Sequence, residues 1–136
     1  MALTRAAETA VLAGEQRRAA DILQELLGIL TDLGTQRWTA DALETAALVL
    51  ETEDNAEQAS VIFGASNRLR ESAGEARGGV RVIAQEVRNA RNRLASALAA
   101  ERLAQHDARG RALPREAAIT LALAELTARG HDIGHF

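Results

Sequence analysis

The chain has 136 residues, no cysteine, sixteen arginines with no lysine, nineteen acidic residues and a net charge of −3. That length can bury one core without disulfides or metal but is short for a catalytic domain joined to a regulatory one, and the missing cysteines exclude disulfides, thiolate nucleophiles and thiolate metal sites. No early segment has the basic start, apolar run and small-residue cleavage site of a signal peptide, and no run approaches the ~20 apolar residues of a bilayer span, so a cytoplasmic location and no membrane association are expected.

Alanine and leucine dominate, Pro114 is the single proline, tyrosine is absent, and the large aromatics are Trp38, Phe63 and Phe136. This is a helix-forming mixture, poor in the β-branched and aromatic residues that favour strands. Charge is divided unevenly along the chain. Residues 1–66 carry four Arg against eleven Asp or Glu, a balance of −7, and residues 67–136 carry twelve Arg against eight acids, a balance of +4. Such asymmetry can orient a partner, yet falls well short of a nucleic-acid-binding signature.

The first helix is expected over about 3–13, where Ala6, Ala7, Ala10 and Ala13 make a narrow small-residue stripe that Gly14 ends. A second follows over about 15–33, with Ala19, Ile22, Leu23, Leu26, Leu27 and Leu30 at spacings of three and four and Gly34 as a left-handed cap. A third covers about 37–51 and carries Trp38, Ala42, Ala46 and Val49 near one face. Asp54 or Asn55 can cap the fourth, over about 56–72, by accepting a bond from a first-turn amide. Its inward face carries Ala59, Ile62, Phe63, Ser66 and Leu69, and Gly74 ends it.

These four segments repeat at forty residues. Ala6-Ala7 returns as Ala46-Ala47, Ala19 as Ala59, Ile22-Leu23 as Ile62-Phe63, and Gly34 as Gly74. Small residues at fixed places let helices approach, larger apolar residues close the contact, and each helix pair leaves a bare surface for its neighbour.

A loop over 75–79 then precedes a long fifth helix, about 80–105, whose core face carries Val80, Ile83, Val87, Leu94 and Leu98. On another side Arg77, Arg81, Arg88, Arg91 and Arg102 cluster, provided the helix reaches back to Arg77. After a turn at 107–110, Pro114 opens a sixth helix carrying Ile119, Ala122, Leu123 and Leu126, which Gly130 stops. Residues 131–136 form a tail.

The run from Arg37-Trp38-Thr39 through Ala46-Ala47, then Asp54-Asn55-Ala56-Glu57-Gln58-Ala59 through Ser66, and Leu69-Arg70-Glu71-Ser72-Ala73-Gly74, resembles the final tetratricopeptide-type repeats of large actinobacterial transcriptional regulators. These are the MalT-like and AfsR-like, LuxR-type, nucleotide-binding regulators. Arg109-Gly110-Arg111-Ala112-Leu113 and Glu116-Ala117-Ala118-Ile119-Thr120-Leu121-Ala122 are similar to the turn and last helix of that family's tail. The resemblance spans roughly residues 36–126. It implies a sensor region that binds an effector or a partner protein and couples it to a switch module. The phosphate-binding Gly-x-x-x-x-Gly-Lys-Ser/Thr loop of the full-length family is missing, and no helix-turn-helix follows the repeats.

The five arginines have two readings. They are a protein-contact surface, guanidinium groups being suited to carboxylates and phosphates, or a solvated flank paired with Glu75, Glu101 and neighbours. The lack of neighbouring aromatics argues against single-stranded nucleic acid. Trp38 and Phe63 are read as core wedges rather than pocket walls, and Asp41, Glu44, Glu51, Glu53, Asp54 and Glu57 as exposed acidic surface. His131 and His135 are four apart, but Gly130 and Gly134 disfavour a helix that would make them metal ligands.

The expected protein is therefore all-α, a short tetratricopeptide-like array of about six antiparallel helices in one domain over 1–130, paired as 3–34, 36–74 and 80–129. It is expected to be noncatalytic, without cofactor or metal, and to bind a protein or peptide, with a homodimer covering any apolar edge. The alternatives are a small-effector sensor or enzyme with a pocket between helices, and a DNA-associated regulator using the basic flank.

Overall fold

Residues 2–33, 35–74 and 83–133 are described by a computed structural model, the side chains of residues 33 and 129–133 excepted. Among them are seven helices and no strand: α1 (Ala2–Leu12), α2 (Gln16–Leu33), α3 (Gln36–Thr52), α4 (Ala56–Ser72), α5 (Ala84–Ala97), α6 (Ala100–Arg111) and α7 (Arg115–Ile133). No helix among the described residues is long and apolar enough to cross a membrane.

The forty-residue register is kept in the backbone. In the turn between α1 and α2, Gly14 has φ +78°, and Glu15 N–H donates to Ala10 O at 2.8 Å. Forty residues on, Asp54 has φ +63°, and Asn55 N–H donates to Leu50 O at 2.9 Å. Ala13 N–H to Thr9 O and Glu53 N–H to Val49 O repeat the same offset. Both turns thus end one helix with a left-handed residue whose following amide satisfies a late helical carbonyl. Glycine enters that backbone region without strain, and an aspartate enters it more readily than most residues. The Asn55 side chain makes no capping bond; its amide instead donates to Glu125 Oε1 of α7 at 2.8 Å.

α3 is the centre of the molecule. It packs against α1, α2, α4, α5 and α7, and apart from half-buried Asp41 its residues from Thr39 to Leu50 are buried on every side. Such a helix must satisfy its polar groups internally. Thr39 and Thr45 hydroxyls donate to Thr35 O and Asp41 O at 2.7 and 3.0 Å, and Ser66 of α4 donates to Ala40 O at 2.9 Å. Its own Leu43 and Leu50, and Leu23, Leu26, Leu27, Leu30 and Ile62 around it, are fully buried, each contributing roughly 1.5–3 kcal/mol relative to exposure.

The second half departs from the expected pairing. In place of one helix over 80–105, α5 and α6 are separated by Leu98 (φ −115°, ψ 140°) and Ala99 (φ −58°, ψ 145°), and the expected turn at 107–110 lies inside α6. The helix that follows Pro114 is therefore the seventh, not the sixth. α5 lies on α3 and α6 lies on α4, while α5 and α6 barely touch each other. α7 packs against α2, α3 and α4. It runs through Gly130 to Ile133, so the expected tail at 131 begins inside a helix; one glycine near a helix end costs only about 1 kcal/mol. Gly34, the loop at 75–79, Val80 and residues 134–136 lie outside the described residues.

Glycines explain the approach of α6 to α4. A methyl group built on Gly64 would lie 3.1 Å from Asp107 Cα and nearer still to its carbonyl oxygen. One built on Gly110 would lie 2.8 Å from Val61 C and 2.9 Å from Ala65 N. The neighbours are backbone atoms and cannot rotate away. The matching face of α2, forty residues earlier, carries Asp21, Gln24 and Glu25 where α4 has Val61, Gly64 and Ala65. α2 accordingly makes no comparable approach to α4, and α7 touches both.

This geometry sets the expected stability of three variants. Gly14→Ala should lower unfolding free energy by about 1 kcal/mol and Asp54→Gly should leave it equal or higher by roughly 0.5 kcal/mol, read by urea titration. Gly110→Ala, which in an isolated helix would stabilise, should instead cost about 3 kcal/mol and raise amide exchange throughout α6.

Candidate functional site

Each predicted arginine is placed by its helix. Arg77 and Arg81 lie outside the described residues. Arg88 is exposed on α5, its Nη2 donating to Gln85 Oε1 at 2.7 Å on the same helix. Arg91, one turn on, points inward: its guanidinium sits 4.6 Å from the centroid of the Phe63 ring and donates to Asn67 Oδ1 at 2.9 Å. Burial lowers its pKa below the ordinary value, with Glu44 and then Asp107 opposing that shift. An arginine stays charged under such a change, so Arg91 is a cation held on an aromatic face inside the helix array. Arg102 belongs to α6 and pairs with Glu57 of α4. The break at Leu98 and Ala99 therefore divides the expected single basic flank, and of its three described members Arg88 faces solvent, its hydrogen bond among the described residues lying on its own helix.

The carboxylates read as exposed acidic surface are largely cross-helix partners. Arg70 of α4 donates to Asp41 Oδ1 at 2.9 Å and lies 3.4 Å from Glu44 of α3, and Glu44 is buried. Arg93 Nε and Nη2 donate to Glu51 Oε2 and Oε1 at 2.9 and 2.7 Å, a bidentate pair joining α5 to α3 that raises the arginine pKa. Arg111 donates to Glu71 Oε2 at 2.8 Å and to Asp107 Oδ2 at 3.0 Å, with the same effect, the Glu71 bond being the larger cause. At the start of α7, Arg115 donates to Thr39 Oγ1 at 3.1 Å and to Leu30 O, fastening α7 to the α2–α3 junction. No group of three or more His, Asp or Glu side chains is placed to hold a metal ion among the described residues.

Arg70, Arg93, Arg111 and Arg115 are the residues that sequence reasoning passed over. Their signal was the −7 and +4 imbalance between the halves, read as steering a partner. In the folded chain Arg70 and Arg93 reach carboxylates of the first half, whereas Arg111 pairs within the second and Arg115 meets a hydroxyl and a carbonyl.

The aromatics divide. Phe63 is buried, as expected of a wedge, whereas Trp38 is 38% exposed and is not a core residue. It lies in the first turn of α3, just before the buried Thr39 and Ala40. Ile29, in the last turns of α2, and Leu12, at the end of α1, are the other large exposed apolar side chains among the described residues.

Arg91→Lys, which keeps the charge but not the planar stack or the fixed donor, should cost about 1 kcal/mol by thermal or urea unfolding, whereas Arg88→Ala should change stability by less than about 0.5 kcal/mol. Equal effects at both positions would remove the distinction between an inward and an outward arginine. No known protein family, curated protein or solved structure matches this chain.

Proposed function

We propose that the chain is a noncatalytic, tetratricopeptide-like interaction module that binds a protein or peptide partner within a bacterial transcriptional regulatory system, akin to the sensor repeats of MalT-like and AfsR-like regulators. The observation that carries this reading is the register of the first two helix pairs, kept to individual backbone hydrogen bonds at Glu15 and Asn55 and to left-handed residues at Gly14 and Asp54. Repeating pairs build extended surfaces by adding copies of one unit, and such surfaces serve binding.

The surface on offer differs from an open groove along the inner helices. α7 covers part of α3, and α3 is closed on its remaining sides by its other neighbours. Outward lie Trp38 at the start of α3, Ile29 on α2 and Leu12 on α1, and Arg88 on the solvent side of α5. A half-exposed tryptophan supplies a large apolar face and one N–H donor, the combination that dominates binding energy at protein interfaces. Arg88 adds a donor for a carboxylate at the rim.

The test is recovery of partners from the source cell by immobilised wild-type chain, Trp38→Ala and Arg88→Glu, with folding of each checked by circular dichroism. A partner held by the wild type should be recovered about tenfold less by Trp38→Ala and less strongly reduced by Arg88→Glu. Equal recovery by all three folded proteins would remove this surface, and a salt-sensitive complex with duplex DNA would replace the reading with a nucleic-acid one.

A further inference from the structure

α5 and α6 read locally as one helix. From Ala84 to Arg109 there is no glycine or proline, and the break falls in Ala97-Leu98-Ala99-Ala100, the most helix-favouring stretch of the segment. The interruption also leaves helix ends incompletely satisfied: α6 begins at Ala99 without a side-chain cap, and its first intrahelical bond is Leu103 N–H to Ala99 O at 2.9 Å. A continuous helix would pair the amides of residues 99–102 with the carbonyls of residues 95–98. What holds the break is the contact of α6 with α4.

That contact is unusual in kind. Gly110 is the one buried residue of α6. The helix is held by backbone approach at Gly64 and Gly110 and by pairs at its two ends, Arg102 with Glu57 and Arg111 with Glu71. Glu57 and Glu71 stand two helical turns either side of Gly64. Glu57 meets the start of α6 and Glu71 its end, so the two helices run in the same direction.

We propose that α6 and α7 together are an exchangeable element: α5 and α6 straighten into one helix over residues 84–111, and, because only residues 112–114 join α6 to α7, both dock on a second copy, α6 on its α4 and α7 on its α2, α3 and α4. The straight form would be about 42 Å long at 1.5 Å per residue. With residues 84–97 still seated on α3, it carries Gly110 away from its own Gly64. The surface that α6 vacates is narrow, glycine-floored and acidic at both ends. It takes a helix with a glycine at the crossing and arginines nine residues apart, which a second copy of this chain presents. Every docking contact of the single chain is remade between two, and the helix gains the hydrogen bonds lost at the break, as in exchange of identical elements through a short hinge. This inference rests on the α4–α6 geometry and not on the proposed partner surface.

The experiment uses the full chain and light scattering over a concentration series. Wild-type protein should show a dimer that grows with concentration. Ala99→Pro should remain monomeric, because Ala99 (φ −58°) and Leu98 (ψ 140°) already have the backbone that proline and its predecessor require, while proline bars a continuous helix. The second arm mixes Glu57→Arg/Glu71→Arg with Arg102→Glu/Arg111→Glu. Each alone places like charges between α4 and α6, whereas exchange between the two makes both docking sites complementary, so the mixture should contain about tenfold more dimer than either variant alone, identified as heterodimer by native mass spectrometry. A wild-type dimer unchanged by Ala99→Pro, a wild type that stays monomeric throughout the series, or no heterodimer from the folded variants would each overturn the proposal.

Discussion

Two helices can bring their backbones into contact only where neither carries a side chain at the crossing, and α4 and α6 meet that condition at Gly64 and Gly110. The second half of the molecule follows from that approach. To reach α4, the chain must leave the axis of α5, and it does so at Leu98 and Ala99, where local propensity alone would continue the helix. Once α6 is seated, Arg102 and Arg111 come within reach of Glu57 and Glu71, and Arg68 reaches the carbonyl of Arg111 at 2.9 Å. Exposed pairs of this kind each contribute little, about 0–1 kcal/mol. Their consequence is register, since they fix where along α4 a helix with only one buried residue comes to rest.

The first half is organised differently, around a helix buried on all faces. α3 has apolar or hydrogen-bonded neighbours in every direction, and α7 supplies the last of them. Arg115 and Glu125 hold α7 in place from opposite directions, one at the α2–α3 junction and one at the turn into α4. Charge links the two halves. Arg70 and Arg93 bring α4 and α5 to carboxylates of α3, and Arg91 lies on Phe63 between them. Arg70, Arg93 and Arg102 thus tie the basic second half to carboxylates of the acidic first, while Arg88 and Trp38 face outward.

Much of this was legible in the chain itself. The bounds of α4, the breaks after α1 and α3, the forty-residue offset and the core face through Ile83, Val87 and Leu94 depend on helix period, turn residues and apolar spacing. These act over a few residues, and the corresponding turns at Gly14 and Asp54 show how closely such local rules hold. The candidate site was less legible. Five arginines at helical spacing resemble one surface only while the helix is continuous, and a side chain's direction on a helix does not say whether a neighbouring helix lies there. Arg91 and Arg88 differ by three residues, yet one meets Phe63 of α4 and the other faces solvent.

The sequence by itself therefore determined the all-helical class, the approximate bounds of the first four helices, the forty-residue offset of their two turns and most of the core. Tertiary structure alone decided the α5–α6 break, the pairing of α6 with α4, the outward position of Trp38 and the cross-helix contacts of Arg70, Arg91, Arg93, Arg102, Arg111 and Arg115. The physical reason is distance along the chain. Helix starts and stops answer to hydrogen bonds four or five residues apart, whereas Gly64 with Gly110, Glu57 with Arg102 and Glu51 with Arg93 join residues more than forty apart, whose contact no local pattern records.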